Sequence, residues 1–148
     1  MDETDKKILN IIQTDFPVEA EPFKVLGEKI GISEDEALKR VKKLKDGGII
    51  RRIGAIFDIG KLGFTSTLCA ARVPEEKINE FVKVVNSYPG VTHNYRRKHE
   101  YNIWFTFIAP SEDEIKRSLK EISDKTGITD ILDLPAKRKF KIDASFEL

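Results

Sequence analysis

Residues 90–107, GVTHNYRRKHEYNIWFTF, decide how this chain folds. Two runs rich in β-branched and aromatic residues, 92–96 and 101–107, flank the polar sequence Arg97-Lys98-His99-Glu100. That pattern predicts two strands joined by a tight turn. A loop of residues 98–99 or of residues 97–100 gives the same register, with His93 opposite Trp104 and Tyr95 opposite Asn102. Side chains alternate along a strand. Ile103, Phe105 and Phe107 then share a core face, while His93, Tyr95 and Arg97 share the other face with Asn102, Trp104 and Thr106. An imidazole, a phenol, a guanidinium, an amide and an indole on one face suit a flat, partly aromatic, anionic ligand. Arginine bonds carboxylates in bidentate fashion. The aromatic rings stack, and a neutral imidazole binds iron or exchanges protons. The same face also suits a dimer interface, and the two uses are compatible at a subunit boundary.

Outward from this hairpin the pattern completes a small α+β unit. A strand over 65–73 precedes it, followed by a helix from Pro74 with Ile78, Phe81, Val82 and Val85 inward. Tyr88-Pro89-Gly90 makes a turn. Ser111-Glu112-Asp113-Glu114 is a capping box opening a helix with Ile115, Leu119 and Ile122 inward. A strand over 128–134 closes the series. The order β-α-β-β-α-β is the ferredoxin-like split unit, whose helices cover one sheet face and leave the other for a ligand or partner. A tail follows, with Lys137, Arg138, Lys139 and Lys141 and the alternating apolar residues Phe140 and Ile142.

The first part of the chain reads as a winged helix-turn-helix. Helices are expected over 5–14 and 23–30. A third begins at the capping box Ser33-Glu34-Asp35-Glu36, with Ala37, Leu38, Val41 and Leu44 inward. Residues 49–58, IIRRIGAIFD, are expected to supply the wing strands. The expected domains are a winged helix-turn-helix over 1–60 and a ferredoxin-like ligand-binding and dimerisation domain over 61–148. The third helix carries Lys39, Arg40, Lys42, Lys43 and Lys45. Yet its first turn, which reads bases in DNA-binding proteins of this plan, holds Glu34, Asp35 and Glu36. Nucleic acid is therefore not the expected partner.

Composition narrows the rest. Of 148 residues, 34% are charged and 40% hydrophobic, and the net charge is +1. Bulk charge thus decides nothing, and local clusters must. The single cysteine, Cys69, lies in an apolar run and reads as a small buried residue. No apolar run reaches the ~20 residues of a membrane span, and the acidic start MDETDKKIL is unlike a signal peptide, so a cytoplasmic protein is expected. No phosphate loop, paired-histidine or Ser/His/Asp pattern is present. Of the two histidines, His99 sits in the turn and is expected to be solvated. His93 on the free face is either a hydrogen-bonded structural residue or a ligand. Alone it cannot hold a bare metal ion, but it can ligate an iron already held by a macrocycle. Arg51-Arg52, Arg96-Arg97-Lys98 and Lys137-Arg138-Lys139 are basic clusters, and their convergence on one cavity would mark a polycarboxylate or polyphosphate ligand.

A winged helix-turn-helix followed by β-α-β-β-α-β resembles the Lrp/AsnC architecture over nearly the whole chain. The sequence Thr92-His93-Asn94-Tyr95-x-Arg97, then Tyr101-Asn102-x-Trp104-Phe105-Thr106, resembles the siroheme decarboxylases more particularly. So do Arg51-Arg52-Ile53-Gly54-Ala55 and Leu62-Gly63 leading to Val73-Pro74. The resemblance implies a subunit that helps convert siroheme to 12,18-didecarboxysiroheme in alternative haem biosynthesis, losing two acetate carboxyls as CO2. It implies a homologous second subunit, in a heterodimer or larger assembly, and no cofactor beyond the substrate's own iron. His93 and Tyr95 would be the catalytic residues, with His93 as proton donor or iron ligand. Arg51, Arg52, Arg96, Arg97, Lys98, Asn102 and Trp104 would bind the tetrapyrrole in a basic-rimmed hollow. The alternative is an Lrp/AsnC-type transcription regulator sensing a small molecule.

Overall fold

The computed structural model describes residues 1–141, 145, 147 and 148. The expected apolar position Ile142 lies outside the described residues. The chain divides into two compact units, Met1–Ala55 with Lys141–Leu148, and Ile56–Phe140. The described residues of the last stretch thus group with the helical unit.

In the first unit, α1 (Glu3–Ile12) opens on a reciprocal cap. The Asp2 carboxylate accepts from the Asp5 N–H, and the Asp5 carboxylate from the Asp2 N–H. These bonds satisfy donors that every helix start leaves open. α2 (Pro22–Ile30) has proline in its first turn and ends at Gly31, whose φ of 79° requires a residue without a Cβ penalty. α3 (Glu34–Asp46) is capped by Ser33, whose Oγ accepts from the Glu36 N–H. Ile8, Leu26, Ala37, Val41 and Leu44 form the core. Leu38, expected inward, is 45% exposed, because the buried stripe runs through Ala37, Val41 and Leu44 and leaves Leu38 one step round the helix.

A capping box would have Glu36 reach back to the Ser33 backbone, but its carboxylate receives Arg40 Nε at 2.6 Å. The same guanidinium reaches Asp2 and the buried Asp5, each at 2.8 Å. Arg40 thereby ties α3 to the start of α1. Its hydrogen bonds, with that from the Asp5 N–H, hold the Asp2 carboxyl at about 2. The Asp5 carboxyl is also lowered, chiefly by the Asp2 N–H.

The expected wing strands do not form. Residues 49–58 hold no strand, and Ile49, Ile53, Ile56 and Phe57 are exposed. An isolated two-stranded ribbon is marginal in water without a packed face.

The second unit is the expected β-α-β-β-α-β. β1 (Thr65–Ala71) leads through a 3-10 turn (Glu75–Lys77) into α4 (Ile78–Asn86). β2 (Val91–Arg96) and β3 (Ile103–Ala109) form the hairpin, and α5 (Glu112–Thr126) and β4 (Ile131–Pro135) complete it. The sheet order is β2-β3-β1-β4, with antiparallel neighbours. α4 and α5 bury Phe81, Val85, Ile115 and Ile122 against Ile103, Phe105 and Phe107 of β3. The opposite face carries no helix of this unit, and Leu68, Leu132 and Leu134 on it are exposed.

The hairpin register differs from the expected one by two residues. His93 faces Thr106 and Tyr95 faces Trp104, and the Arg97 N–H bonds the Asn102 carbonyl at 2.8 Å. Tyr101 causes the slip. Its N–H goes to His99 Nδ1, its carbonyl receives Trp104 Nε1, and its hydroxyl reaches Asp130, so it leaves the ladder and residues 98–101 become the loop. A slip of two preserves the faces, so the expected side-chain sets survive.

Replacing Arg40 by Met is expected to lower the thermal midpoint at pH 7 by several degrees, because it leaves the buried Asp5 without its cation. A carboxyl lowered from its ordinary 3.8 stabilises the fold above that value and loses the contribution as pH falls through about 2. The gap between wild type and variant should therefore shrink towards pH 2, as read by circular dichroism melts. Equal midpoints at pH 7 would show that the cage adds nothing.

Candidate functional site

β3 positions the site by alternation. Burying Ile103, Phe105 and Phe107 turns Trp104 and Thr106 to the uncovered face, where Tyr95 and His93 of β2 lie opposite them. The Trp104 indole is half-buried and its N–H is fixed on the Tyr101 carbonyl at 2.7 Å. That leaves the ring as a flat wall of set orientation. The Arg97 guanidinium lies 5.3 Å from the centre of that ring. A cation over an indole is held by the ring's quadrupole while its N–H groups stay available to an anion. The exposed His93 and Tyr95 rings stack at 6.2 Å with 26° between their planes. His93 Nδ1 lies 3.1 Å from Thr92 Oγ1.

At the tip of the hairpin a cavity of about 420 Å³ is lined by Glu75, Arg96, Arg97, Lys98, His99 and Asn102. Arg96, Arg97, Lys98 and Asn102 were expected at the site and the fold gathers them. Arg96 is already paired with Glu75 at 2.7 Å, both side chains being well exposed. Such surface pairs contribute little, so a ligand carboxylate can take the place of Glu75 at low cost. Among the described residues no carboxylate pairs with Arg97 or Lys98. Asn102 lines the wall, but its amide is engaged on both sides. Its Oδ1 accepts from the Val73 N–H at 3.0 Å and its Nδ2 donates to the Val73 carbonyl at 2.8 Å. It therefore joins the start of β3 to the chain leaving β1.

His93, Tyr95 and Trp104 lie on the sheet face and not in the wall of that cavity. Within this unit the site is a flat aromatic floor with a cationic recess beside it, and not the single hollow expected. Arg51 and Arg52 are exposed residues of the helical unit. In the tail, the Arg138 guanidinium lies 5.0 Å from the centre of the Phe140 ring. Among the described residues no group of His, Cys, Asp and Glu is arranged to hold a metal ion, and no helix is long and apolar enough to cross a membrane. Burial and the nearby Asp133 push the Cys69 thiol up to about 12, which keeps it unreactive.

Two features escaped the sequence reading. His99 is exposed in the turn, as expected, but its ring is not free. It stacks on Tyr101 at 6.3 Å and accepts the Tyr101 N–H. Tyr101, read as a strand residue, is the support of the tip: Arg72 lies 5.1 Å from its ring centre and also pairs with Glu100 and Asp130. The signal was the spacing His99-x-Tyr101, two rings close enough along a tight loop to meet.

Comparison with known proteins bears on this geometry. Residues 61–141 match the AsnC-like ligand binding domain, and residues 5–51 match the siroheme decarboxylase NirDL-like HTH domain. The siroheme decarboxylase alpha subunit of Oleidesulfovibrio alaskensis is 57% identical over all 148 residues, which cover 90% of that protein. A crystal structure of the siroheme decarboxylase NirDL with an iron-uroporphyrin III analogue is similar at 41% identity and a TM-score of 0.69. The match covers 88% of this chain but only 43% of that longer one. Escherichia coli AsnC superposes with a TM-score of 0.83 at 19% identity, over 98% of this chain and 97% of its own, a likeness of fold alone.

Replacing Asn102 by Ala should destabilise the protein by about 1–3 kcal/mol in denaturant unfolding, since two buried backbone groups of Val73 lose their partners. The substitution Asn102→Asp would restore only the acceptor and should recover part of that loss. An alanine variant as stable as wild type would mean that water replaces the amide.

Proposed function

Because the chain belongs to the siroheme decarboxylase family, built on the Lrp/AsnC architecture, we propose that it is a siroheme decarboxylase subunit. It acts in alternative haem biosynthesis, converting siroheme to 12,18-didecarboxysiroheme with a homologous partner subunit in the cytoplasm. The observation that carries the reading is the uncovered sheet face, where an indole of fixed orientation and two stacked rings adjoin unpaired cations. A planar polycarboxylate matches both parts.

Each side chain then has a task. Trp104 and Tyr95 offer flat surface to the macrocycle. Arg97 and Lys98 hold carboxylates that do not react, with Arg96 available once Glu75 is displaced. Arg51 and Arg52 serve as further carboxylate contacts. Asn102 acts through the backbone it clamps. Binding energy at these remote groups positions the reacting acetate. Its carbon–carbon bond breaks, CO2 leaves, and the bonding electrons stay on the methylene carbon, delocalised into the ring. His93 supplies the proton that turns this carbon into a methyl group, with Tyr95 beside it as second donor. His93 also has the chemistry to ligate the substrate's iron. No external oxidant or reductant is needed.

A regulator function has less support. The first turn of α3 is acidic, and Arg40 is enclosed by Asp2, Asp5 and Glu36.

The test uses the chain with its partner subunit and siroheme. His93→Ala should fold and assemble but lose turnover on the order of 100-fold or more, as expected on removing a proton donor. Arg97→Ala should weaken siroheme binding about tenfold, as read by absorption titration, with a smaller effect on kcat. Near-full activity of His93→Ala would remove His93 from the mechanism.

A further inference from the structure

We propose that His99 donates a hydrogen bond from Nε2 to a carboxylate of the substrate, and that the backbone amide of Tyr101 fixes the tautomer that makes it a donor. The inference rests on the function proposed above and adds a substrate-binding residue to it.

The argument begins with what each partner is able to do. A backbone N–H only donates. His99 Nδ1 lies 3.1 Å from the Tyr101 N and receives that N–H, so in the neutral ring the proton sits on Nε2. A hydroxyl, in contrast, gives or takes. His93 Nδ1 faces Thr92 Oγ1, and that contact does not fix the tautomer. The chain's two histidines are therefore set up differently. His93 is left able to give or to take a hydrogen bond through Nδ1. His99 is held as a hydrogen-bond donor.

The surroundings say what it donates to. His99 lines the same cavity as Arg96, Arg97 and Lys98. Glu75 is the acidic residue of that wall, and it is taken by Arg96. Glu100, next to His99, is paired with Arg72. The acceptor that fits three cations and one N–H is an incoming carboxylate. The ring is also pre-positioned for it. It stacks on Tyr101, whose hydroxyl bonds Asp130 at 2.9 Å and whose ring lies against Arg72. A side chain already held in place loses little freedom when it binds.

Two substitutions separate the two nitrogens. Asparagine at this position places an amide near Nδ1, and glutamine places one near Nε2. His99→Asn is expected to weaken siroheme binding about tenfold and to raise KM with kcat near that of wild type, whereas His99→Gln stays within about threefold of wild type. Nitrogen-15 NMR of the unliganded wild-type protein should show His99 as the Nε2–H tautomer. Unchanged siroheme binding by His99→Asn, an equal loss in both variants, or an Nδ1–H tautomer would each overturn the proposal. Failure of wild-type protein to take up siroheme at all would instead overturn the function from which the proposal starts, and with it the carboxylate contact.

Discussion

The strict alternation of β3 governs this protein. Ile103, Phe105 and Phe107 are buried beneath α4 and α5, and a strand with three large apolar residues on one side has no freedom to choose what the other side shows. Trp104 and Thr106 must face out, and β2 must bring His93 and Tyr95 alongside them. Chemistry and core are thus two faces of one strand. Any rotation that exposed the indole differently would also pull phenylalanine rings out of the helix layer.

The two ends of the hairpin fix where that strand begins and stops. At one end Tyr101 leaves the ladder and ties its backbone to His99 and Trp104. At the other, Gly90 passes so close to β3 that an added Cβ would lie 2.2 Å from the Ile108 carbonyl oxygen and 2.8 Å from the Phe107 ring. That approach accommodates no larger residue without shifting the backbone. Asn102 adds the cross-tie to Val73. The cationic tip is therefore a built loop and not a floppy turn. Its charged side chains start from defined backbone positions, as precise contact with several carboxylates requires.

Much of this was legible in the chain itself. Periodicity and capping residues gave the helices to within a few residues, because Ser33 and Ser111 do cap helices and the apolar spacing does face inward. The division of side chains between the sheet faces was legible because it depends on parity alone. The register was not. It turned on Tyr101, whose backbone is drawn to a histidine and an indole and whose hydroxyl reaches an aspartate far along the chain, and strand propensity carries no trace of that. The wing failed for a related reason, since apolar residues at 49–58 favour a strand only where something covers them. The site residues divide along the same line. Type and face were readable for His93, Tyr95, Trp104 and Arg97. The engagement of Asn102 with Val73, of Arg96 with Glu75, and of Arg40 with three carboxylates depends on neighbours that only the folded chain supplies.

One irregularity has a bearing on how this sheet meets other molecules. Between Val91 and His93 the pairing of β2 with β3 shifts, leaving Thr92 as an extra residue in a strand at the border of the sheet. A bulge of this kind bends and twists the border, so the outward row of amides and carbonyls no longer matches the spacing of an incoming strand. Growth of the sheet by lateral addition, the common route from an open border to fibrous aggregates, is obstructed on that side. The same kink that aims the imidazole thus also guards the molecule against uncontrolled self-polymerisation.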